Sequence, residues 1–521
     1  MVIGETPAVS DTRPAHPPAV PLTTVAGWLD ADLRRPDGHP TTDPQVTGVS
    51  LSTQRVRPGD LYAALPGARA HGADYADQAA RAGAVAVLTD PDGAERAAAA
   101  GLPVVVAPRP RAVLGALAAR LYGEPAAALA TIGVTGTQGK TTVTRLAEAG
   151  LQGSGTTAAV VGTVGTRIDG VEVRTTLTTP EAPDLHALFA VMRERGVQAC
   201  AMEVSSHALV MGRVDGVVFD VAVFLNLGRD HLDFHADVED YYRAKASLFT
   251  AERARLALVG VDDEHGRRLA GETREAGLPL RTFALDDPDA DWRAVDVALE
   301  REGSTFTVEG PDGVRVPAGV PLPGRFNVAN ALAAVAAAAE AGFDPAAVAA
   351  AIAASGGVPG RLERVEAGQD FLVVVDYAHK PDAVEAALAA LRPLVAPGGR
   401  LLVVLGAGGD RDPGKRPIMA GLAARLADVL VITDDNPRSE PPAVIRAAML
   451  EGVAPEHRDR VEEVGDRRAA IERAVALARP GDVVLVAGKG HETGQEVDGT
   501  VHDFDDRVVA REALARAEAA R

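Results

Sequence analysis

The chain has 521 residues, enough for about three domains at the usual ~100–200 residues each. Hydrophobic residues make up 47% and charged residues 24%, which sets aside a disordered or fibrous chain. The net charge of −19 argues against general binding to nucleic acid or anionic membranes, and the single cysteine, Cys200, excludes an internal disulfide.

Residues 1–22 (MVIGETPAVSDTRPAHPPAVPL) are proline-rich and lack the basic-then-apolar pattern of a signal peptide, so they read as a disordered tail. No apolar run is long enough to span a bilayer. In 23–125, VAVLTD (85–90) and LPVVVAP (102–108) predict strands of a small α/β domain, with GEPAAAL (123–129) near its boundary. In 126–357, TIGVTG, ACAMEV and FDVAVFLNL are each followed by glycine or polar loops and then helical patterns, which implies a mostly parallel sheet. Cys200 lies in the apolar ACAMEV run and reads as an inert buried thiol. PGRFNVANALAAVAAAAEAGF (323–343) predicts a helix with Asn327 as a cap and Gly342 as a stop. Past SGGVPG (355–360), the span 358–521 holds DFLVVVDYAH, GRLLVVLGAGGD, ADVLVITDDN and GDVVLVAGKGHE. These are four strands ending in polar, glycine-bearing loops, the pattern of a doubly wound sheet with a ligand-binding edge.

GVTGTQGKTT (133–142) follows a strand and opens a helix. Its glycines let backbone N–H groups close around phosphate oxygens, Lys140 adds a cation, and the Thr141 hydroxyl can reach Mg²⁺. Val134 stands where the strict P-loop spacing has glycine, so this is a shortened form. Glu203, at the end of the AMEV strand, is a candidate Mg²⁺ ligand. Ser205, Ser206 and His207 do not form a hydrolase elbow, since no GxSxG is present. His231 and His235 have zinc-like spacing but lack the HExxH glutamate. Spacing alone makes Lys245, in the amphipathic YYRAKASLF, a surface lysine. Arg411, Lys415, Arg416 and Arg438 suit capture of carboxylate or phosphate, and Glu492 in GKGHE can face an ammonium.

The ordered set GTQGKTT, EVSSHAL, NLGRDHLDFH, YYRAKASLF, PGRFNVANALAA, GRLE, VDYAHKPD, GAGGDRDPGKRP, DDNPR and GKGHE resembles the Mur ligases, from about residue 46 to the C-terminus. The resemblance implies an α/β protein of three domains. These are a UDP-substrate domain (23–125), a central P-loop ATPase-type parallel sheet (126–357) and a Rossmann-like doubly wound amino-acid domain (358–521). It implies a cytoplasmic, monomeric ligase of peptidoglycan precursor synthesis that needs ATP and Mg²⁺. Its substrates would be UDP-N-acetylmuramoyl-L-alanyl-D-glutamate and diaminopimelate, joined through an acyl phosphate.

By resemblance the catalytic set is Lys140, Glu203, His231 and a carbamylated Lys245, reversing the surface reading of that lysine. Thr141, Glu203, His231 and Lys245 would hold the metal. ATP would meet Gly136, Thr137, Gln138, Gly139, Lys140, Thr141 and Thr142, together with Asn327, Asn330, Arg361 and Asp376. The UDP-muramoyl dipeptide would meet Leu51, Thr53, Thr178, Thr179, Ser205 and Arg213. Diaminopimelate would meet Arg411, Asp435, Asn436, Pro437, Arg438, Gly488 and Glu492. Arg438 would pair with the carboxylate that distinguishes diaminopimelate from lysine, while Asp435, Asn436 and Glu492 hold the ammonium and Arg411 the other carboxylate. The chain departs from the family at Gln138, where Asn is usual, at LSTQ (51–54), where LDSR is frequent, and at Met211, where some members have glutamine. Two competing readings are a related lysine-adding or folylpolyglutamate-type ligase, opposed by DDNPR, and an ATP-binding scaffold, opposed by the full metal set.

Overall fold

The structure is a computed structural model that describes residues 12–36, 42–232 and 234–519. The chain divides into two compact units, Met1–Arg293 with Ala333–Val348, and Ala294–Leu332 with Ala349–Arg521. Among the described residues no helix is long and apolar enough to cross a membrane.

Besides the two-stranded pair Val20–Pro21 and Gln45–Val46, the first unit contains two sheets. The smaller runs in the order Asp32–Arg34, Val104–Val106, Ala86–Thr89, Asp60–Ala63, Gly48–Ser50, parallel except for its first strand. Alternate residues serve opposite faces: Leu61, Leu88 and Val105 enter one apolar cluster, Tyr62, Val87 and Val104 the other. The larger sheet runs Val171–Val173, Thr166–Ile168, Ala158–Val161, Ala199–Glu203, Ala130–Thr135, Phe219–Phe224, Ala254–Gly260, Leu280–Ala284. From Ala158–Val161 onward these neighbours are parallel. Ala130–Thr135 lies between strands that come much later in sequence, so the loop after it opens at a switch in strand order, where α/β sheets bind ligands.

The second unit carries the antiparallel pair Ser304–Glu309 and Arg315–Val320 and a six-stranded sheet. That sheet runs Glu363–Arg364, Leu372–Asp376, Val483–Ala487, Leu401–Ala407, Val429–Asp434, Val461–Glu463, parallel but for the first. Leu372, Val374, Leu401, Val403, Leu405 and Ile432 pack under the helices Pro381–Leu391, Lys415–Leu426 and Pro442–Glu451. Val373, Val375, Leu402, Val404, Val431 and Val484 face the other way, under Arg467–Leu477 and Asp506–Ala519. Both faces are covered, which is why these strands read as unbroken apolar runs.

Two expectations change. Of the tail expected over 1–22, residues 1–11 lie outside the described residues, but the rest is docked. The Arg13 guanidinium donates to Asp60 Oδ2 (3.1 Å), Val49 O (2.9 Å) and the Tyr122 hydroxyl (2.8 Å). The backbone N–H groups of Ala15 and His16 donate to the Glu194 carboxylate. A half-buried, well-partnered arginine overrides the proline-rich composition of this segment. Asn327 does not cap its helix, which already begins at Arg325; its Nδ2 donates to Pro323 O (2.8 Å).

Candidate active site

The 136–139 loop joins the strand Ala130–Thr135 to the helix Lys140–Gly153. Gly136 and Gly139 hold φ of 153° and 88°, and a Cβ at Gly136 would come within 2.9 Å of Leu225 Cβ. Asn226 straps the loop: its backbone O accepts from Thr137 N (3.0 Å) and its Oδ1 from Gln138 N (3.0 Å), while its Nδ2 donates to Gln138 O (3.2 Å). The strap grips the Gln138 backbone, so glutamine in place of the usual asparagine leaves it intact. Lys140 Nζ curls back to Gly136 O (2.7 Å) and Thr137 O (3.1 Å). Thr142 is buried in the first turn of the same helix.

Glu203 ends its strand beside this loop and is buried. Its Oε1 accepts from Thr141 Oγ1 (2.9 Å) and Thr163 N (2.8 Å), and its Oε2 from Thr163 Oγ1 (3.1 Å). Lys245 is buried, only 1% exposed, so the surface reading from spacing fails. Its Nζ donates to Gly136 O (2.8 Å) and sits 4.5 Å from the centre of the Tyr241 ring. The Tyr241 hydroxyl shares a hydrogen bond with Thr137 Oγ1 (3.2 Å). His231 has φ of 52°, pairs with Asp230 (3.3 Å), and lies edge-on to His207. His235 is buried, bonded through Nε2 to Ser206 Oγ and through Nδ1 to Asp240 Oδ2, both at 3.0 Å. Ser206, His235 and Asp240 thus have the connectivity of a hydrolase triad, but Ser206 is itself buried, and the bonds fasten the loop.

Of the residues expected on the muramoyl side, Thr178, Thr179, Ser205 and Arg213 gather behind Glu203. Thr178 and Thr163 share a hydrogen bond (3.1 Å), and Thr179 Oγ1 donates to Glu203 O (2.8 Å) and accepts from Ser205 N (3.3 Å). Ser205 Oγ caps the helix Ser206–Val210, and Arg213 pairs with Glu181 (2.9 Å). Thr179 is fully buried, so its hydroxyl shapes the site from inside. Leu51 and Thr53 stand apart, after the strand Gly48–Ser50 of the smaller sheet, with Thr53 on Gln78. Cys200 is buried, and burial pushes its thiol up, as an inert thiol requires.

In the second unit, Asn330 Nδ2 donates to Asn327 Oδ1 (3.3 Å). The Asp376 carboxylate accepts from Leu362 N (2.7 Å) and Ala378 N (2.8 Å); burial raises its pKa while Arg361 opposes the rise. The Arg361 guanidinium lies 4.8 Å from the centre of the Tyr377 ring. Burial, and then the charge of Glu492, push the Tyr377 phenol up to about 12.

The loops after Leu401–Ala407, Val429–Asp434 and Val483–Ala487 meet at one sheet edge. Gly409 N donates to Asn436 O (2.9 Å), and a Cβ at Gly409 would strike Pro437 O. Arg438 has φ of 52°; its NH1 donates to Gly409 O (2.7 Å) and its Nε pairs with Glu496 (3.3 Å). Arg411 is exposed. Asn436 Nδ2 donates to Glu492 Oε2 (2.9 Å). Gly488 N donates to Asp376 O (3.0 Å), and a Cβ there would sit 3.1 Å from Asp435 Oδ2. Sequence reasoning passed over Lys489, a fully buried ammonium among Asp435, Asn436 and Glu492. Its place in GKGHE, three residues before Glu492, was the available signal.

Three domain descriptions match the chain: Mur ligase family, catalytic domain, over 45–122; Mur ligase middle domain, over 134–338; and Mur ligase, glutamate ligase domain, over 360–490. The chain belongs to the Mur ligase family. A Streptomyces avermitilis protein named UDP-N-acetylmuramoyl-L-alanyl-D-glutamate–2,6-diaminopimelate ligase is 58% identical over 97% of this chain and 98% of its own length. A Xanthomonas campestris protein of the same name is 44% identical over 92% and 96%. A solved structure of a ligase of that name is 33% identical, with a TM-score of 0.68 over 96% of this chain and 100% of the other. Folylpolyglutamate synthase of Mycobacterium tuberculosis, 20% identical with a TM-score of 0.58 over 78% and 95%, shares the fold.

Proposed function

We propose that the chain is an ATP-dependent ligase that joins diaminopimelate to the D-glutamyl γ-carboxylate of UDP-N-acetylmuramoyl-L-alanyl-D-glutamate, in peptidoglycan precursor synthesis. The observation that carries this reading is the convergence of Lys140, Thr141, Glu203 and Lys245 on the 136–140 loop. The names of relatives up to 58% identical over nearly the whole chain support the substrate assignment. The nucleotide-linked substrate and ATP support a cytoplasmic setting, and we assign a monomer.

The phosphates of ATP lie on the 136–142 loop and helix N-terminus, with Lys140 turning from the loop carbonyls to the transferred phosphoryl group. Asn327, Asn330, Arg361 and Asp376 are the nucleotide groups assigned in the second unit. Among the described residues no three His, Cys, Asp or Glu side chains form a ready metal cage. A buried carboxylate with an adjacent threonine hydroxyl beside a phosphate loop nevertheless fits Mg²⁺, which takes few carboxylates and completes its shell with phosphates and water. Thr141, Glu203, His231 and a carbamylated Lys245 would hold it; when bound it neutralises charge on the phosphoryl group.

The γ-carboxylate of the dipeptide takes the terminal phosphoryl group, ADP leaves, and the amine of diaminopimelate attacks the acyl phosphate. The tetrahedral intermediate then loses phosphate and a proton to give the amide. Leu51, Thr53, Thr178, Thr179, Ser205 and Arg213 form the muramoyl side. Arg438 pairs with the distal carboxylate of diaminopimelate, and Asp435, Asn436 and Glu492 hold the neighbouring ammonium. Arg411 takes the other carboxylate, Pro437 sets the turn, and Gly488 leaves room. L-Lysine would leave Arg438 without its ligand carboxylate, a costly mismatch. The boundaries assigned are 23–125, 126–357 and 358–521.

The test is phosphate release from ATP with Mg²⁺ and the UDP-dipeptide, adding meso-diaminopimelate, LL-diaminopimelate or L-lysine in parallel. Release that depends on a diaminopimelate isomer, with the tripeptide product seen by mass, is expected. Release with lysine alone sinks the Arg438 argument, and release with none sinks the ligase reading.

A further inference from the structure

We propose that Lys489 is a positioning residue of the amino-acid pocket, a built-in counter-ion that presents Asp435 and Glu492 as a receptor for one ligand ammonium. The inference rests on the diaminopimelate reading above. Lys489 is completely buried. Its Nζ donates to Asn436 Oδ1 (3.0 Å) and Glu492 Oε2 (3.1 Å) and stands 3.7 Å from Asp435 Oδ1. One nitrogen of the chain therefore touches all three side chains assigned to the ligand ammonium.

Asp435 is buried and Glu492 is partly exposed, and a cation set between two neighbouring carboxylates relieves their repulsion. Lys489 supplies that cation: two negative charges and one positive leave the cluster one negative charge, which a single ammonium neutralises. Arg467, also buried here, is matched by its own carboxylate, since its Nε and NH2 donate to the two oxygens of Asp506 (2.8 and 2.7 Å). Asp435 Oδ1 is buried and accepts no hydrogen bond, an unfilled acceptor beside the resident amine. Asn436 Oδ1 also accepts from Glu496 N (3.0 Å) and its Nδ2 donates to Glu492 (2.9 Å), so Lys489 adds a charged tie between two loops that Asn436 already joins.

Lys489→Met keeps most of the stem and removes the charge; Lys489→Arg keeps the charge. Phosphate release is followed against diaminopimelate, ATP and the UDP-dipeptide in turn. The Met variant is expected to raise KM for diaminopimelate by at least about 30-fold, the scale for removing one partner of a buried charge pair. KM for ATP and the UDP-dipeptide stays unchanged, and Lys489→Arg recovers most of the loss. An unchanged KM for diaminopimelate overturns the proposal. So does a lowered one, which would make Lys489 a placeholder that the ligand displaces. If the Met variant does not fold, Lys489→Ala with added propylammonium decides: recovery of diaminopimelate affinity supports the counter-ion role, and no recovery refutes it. Wild-type protein inactive with every diaminopimelate isomer overturns the ligase reading and this inference with it; active wild type with indifferent variants overturns the role of Lys489 alone.

Discussion

The 136–140 loop and the cluster around Asp435 and Glu492 each hold lysine, but on different partners. Lys140 and Lys245 rest on backbone carbonyls, both reaching Gly136 O, whereas Lys489 rests on side chains that include the Glu492 carboxylate. A carbonyl dipole satisfies an ammonium without cancelling its charge. An ammonium on carboxylates is part of the wall, and what remains of the site's charge is negative. On the proposed reading, the first region takes phosphate and the second an amine.

The largest test of that contrast is Lys140→Ala. It should lower kcat by about 10³-fold, roughly 4 kcal/mol, while KM for diaminopimelate is unchanged. Equal losses in both parameters would mean that the two regions are not separable. His186 offers a check on the framework of the first unit. It is fully buried, and burial lowers its pKa to about 4. The unfolded chain takes up this proton below its ordinary value of 6.5, the folded chain only near 4. Stability is therefore lost as pH falls from 6.5 toward 4, by about 3 kcal/mol from this group. Urea melts of His186→Leu should show a flatter pH dependence across that window, whatever the offset; an identical slope would refute the assignment.

Arg438→Ala sharpens the second region. It should cost about 2–3 kcal/mol in kcat/KM for diaminopimelate and narrow the gap to L-lysine, measured with both amines. A loss shared equally by the two amines would remove Arg438 from the discrimination. The smallest effect is expected from Gly488→Ala, where φ is 122° and the new Cβ would stand 3.1 Å from Asp435 Oδ2. KM for diaminopimelate should rise with a cost of about 1–2 kcal/mol, and the ATP dependence should not move.

The sheets were legible because their strands are apolar runs ended by glycine-bearing loops, and covered sheets require that pattern. The phosphate loop was legible because its glycines, lysine and threonines are contiguous. Lys245 was not legible from spacing, because its burial depends on Gly136 and Tyr241, and the carbonyl of Gly136 is remote in sequence. Lys489 was missed for a like reason: Asn436 and Asp435 reach it only once the chain has folded their loops together. Arg13 was hidden by composition, since nothing near it in sequence announces Asp60 or Tyr122. Thr179 and His235 carry polar groups that look available in sequence and are spent on internal bonds in the fold.

The Gly136 carbonyl accepts from Lys140 at 2.7 Å and from Lys245 at 2.8 Å, so two like charges converge on one oxygen. That shared dipole offsets part of their mutual repulsion. A change of charge at Lys245 is consequently felt directly at Lys140. By thermodynamic reciprocity, an anion drawn to Lys140 alters the charge preference of Lys245 to the same degree.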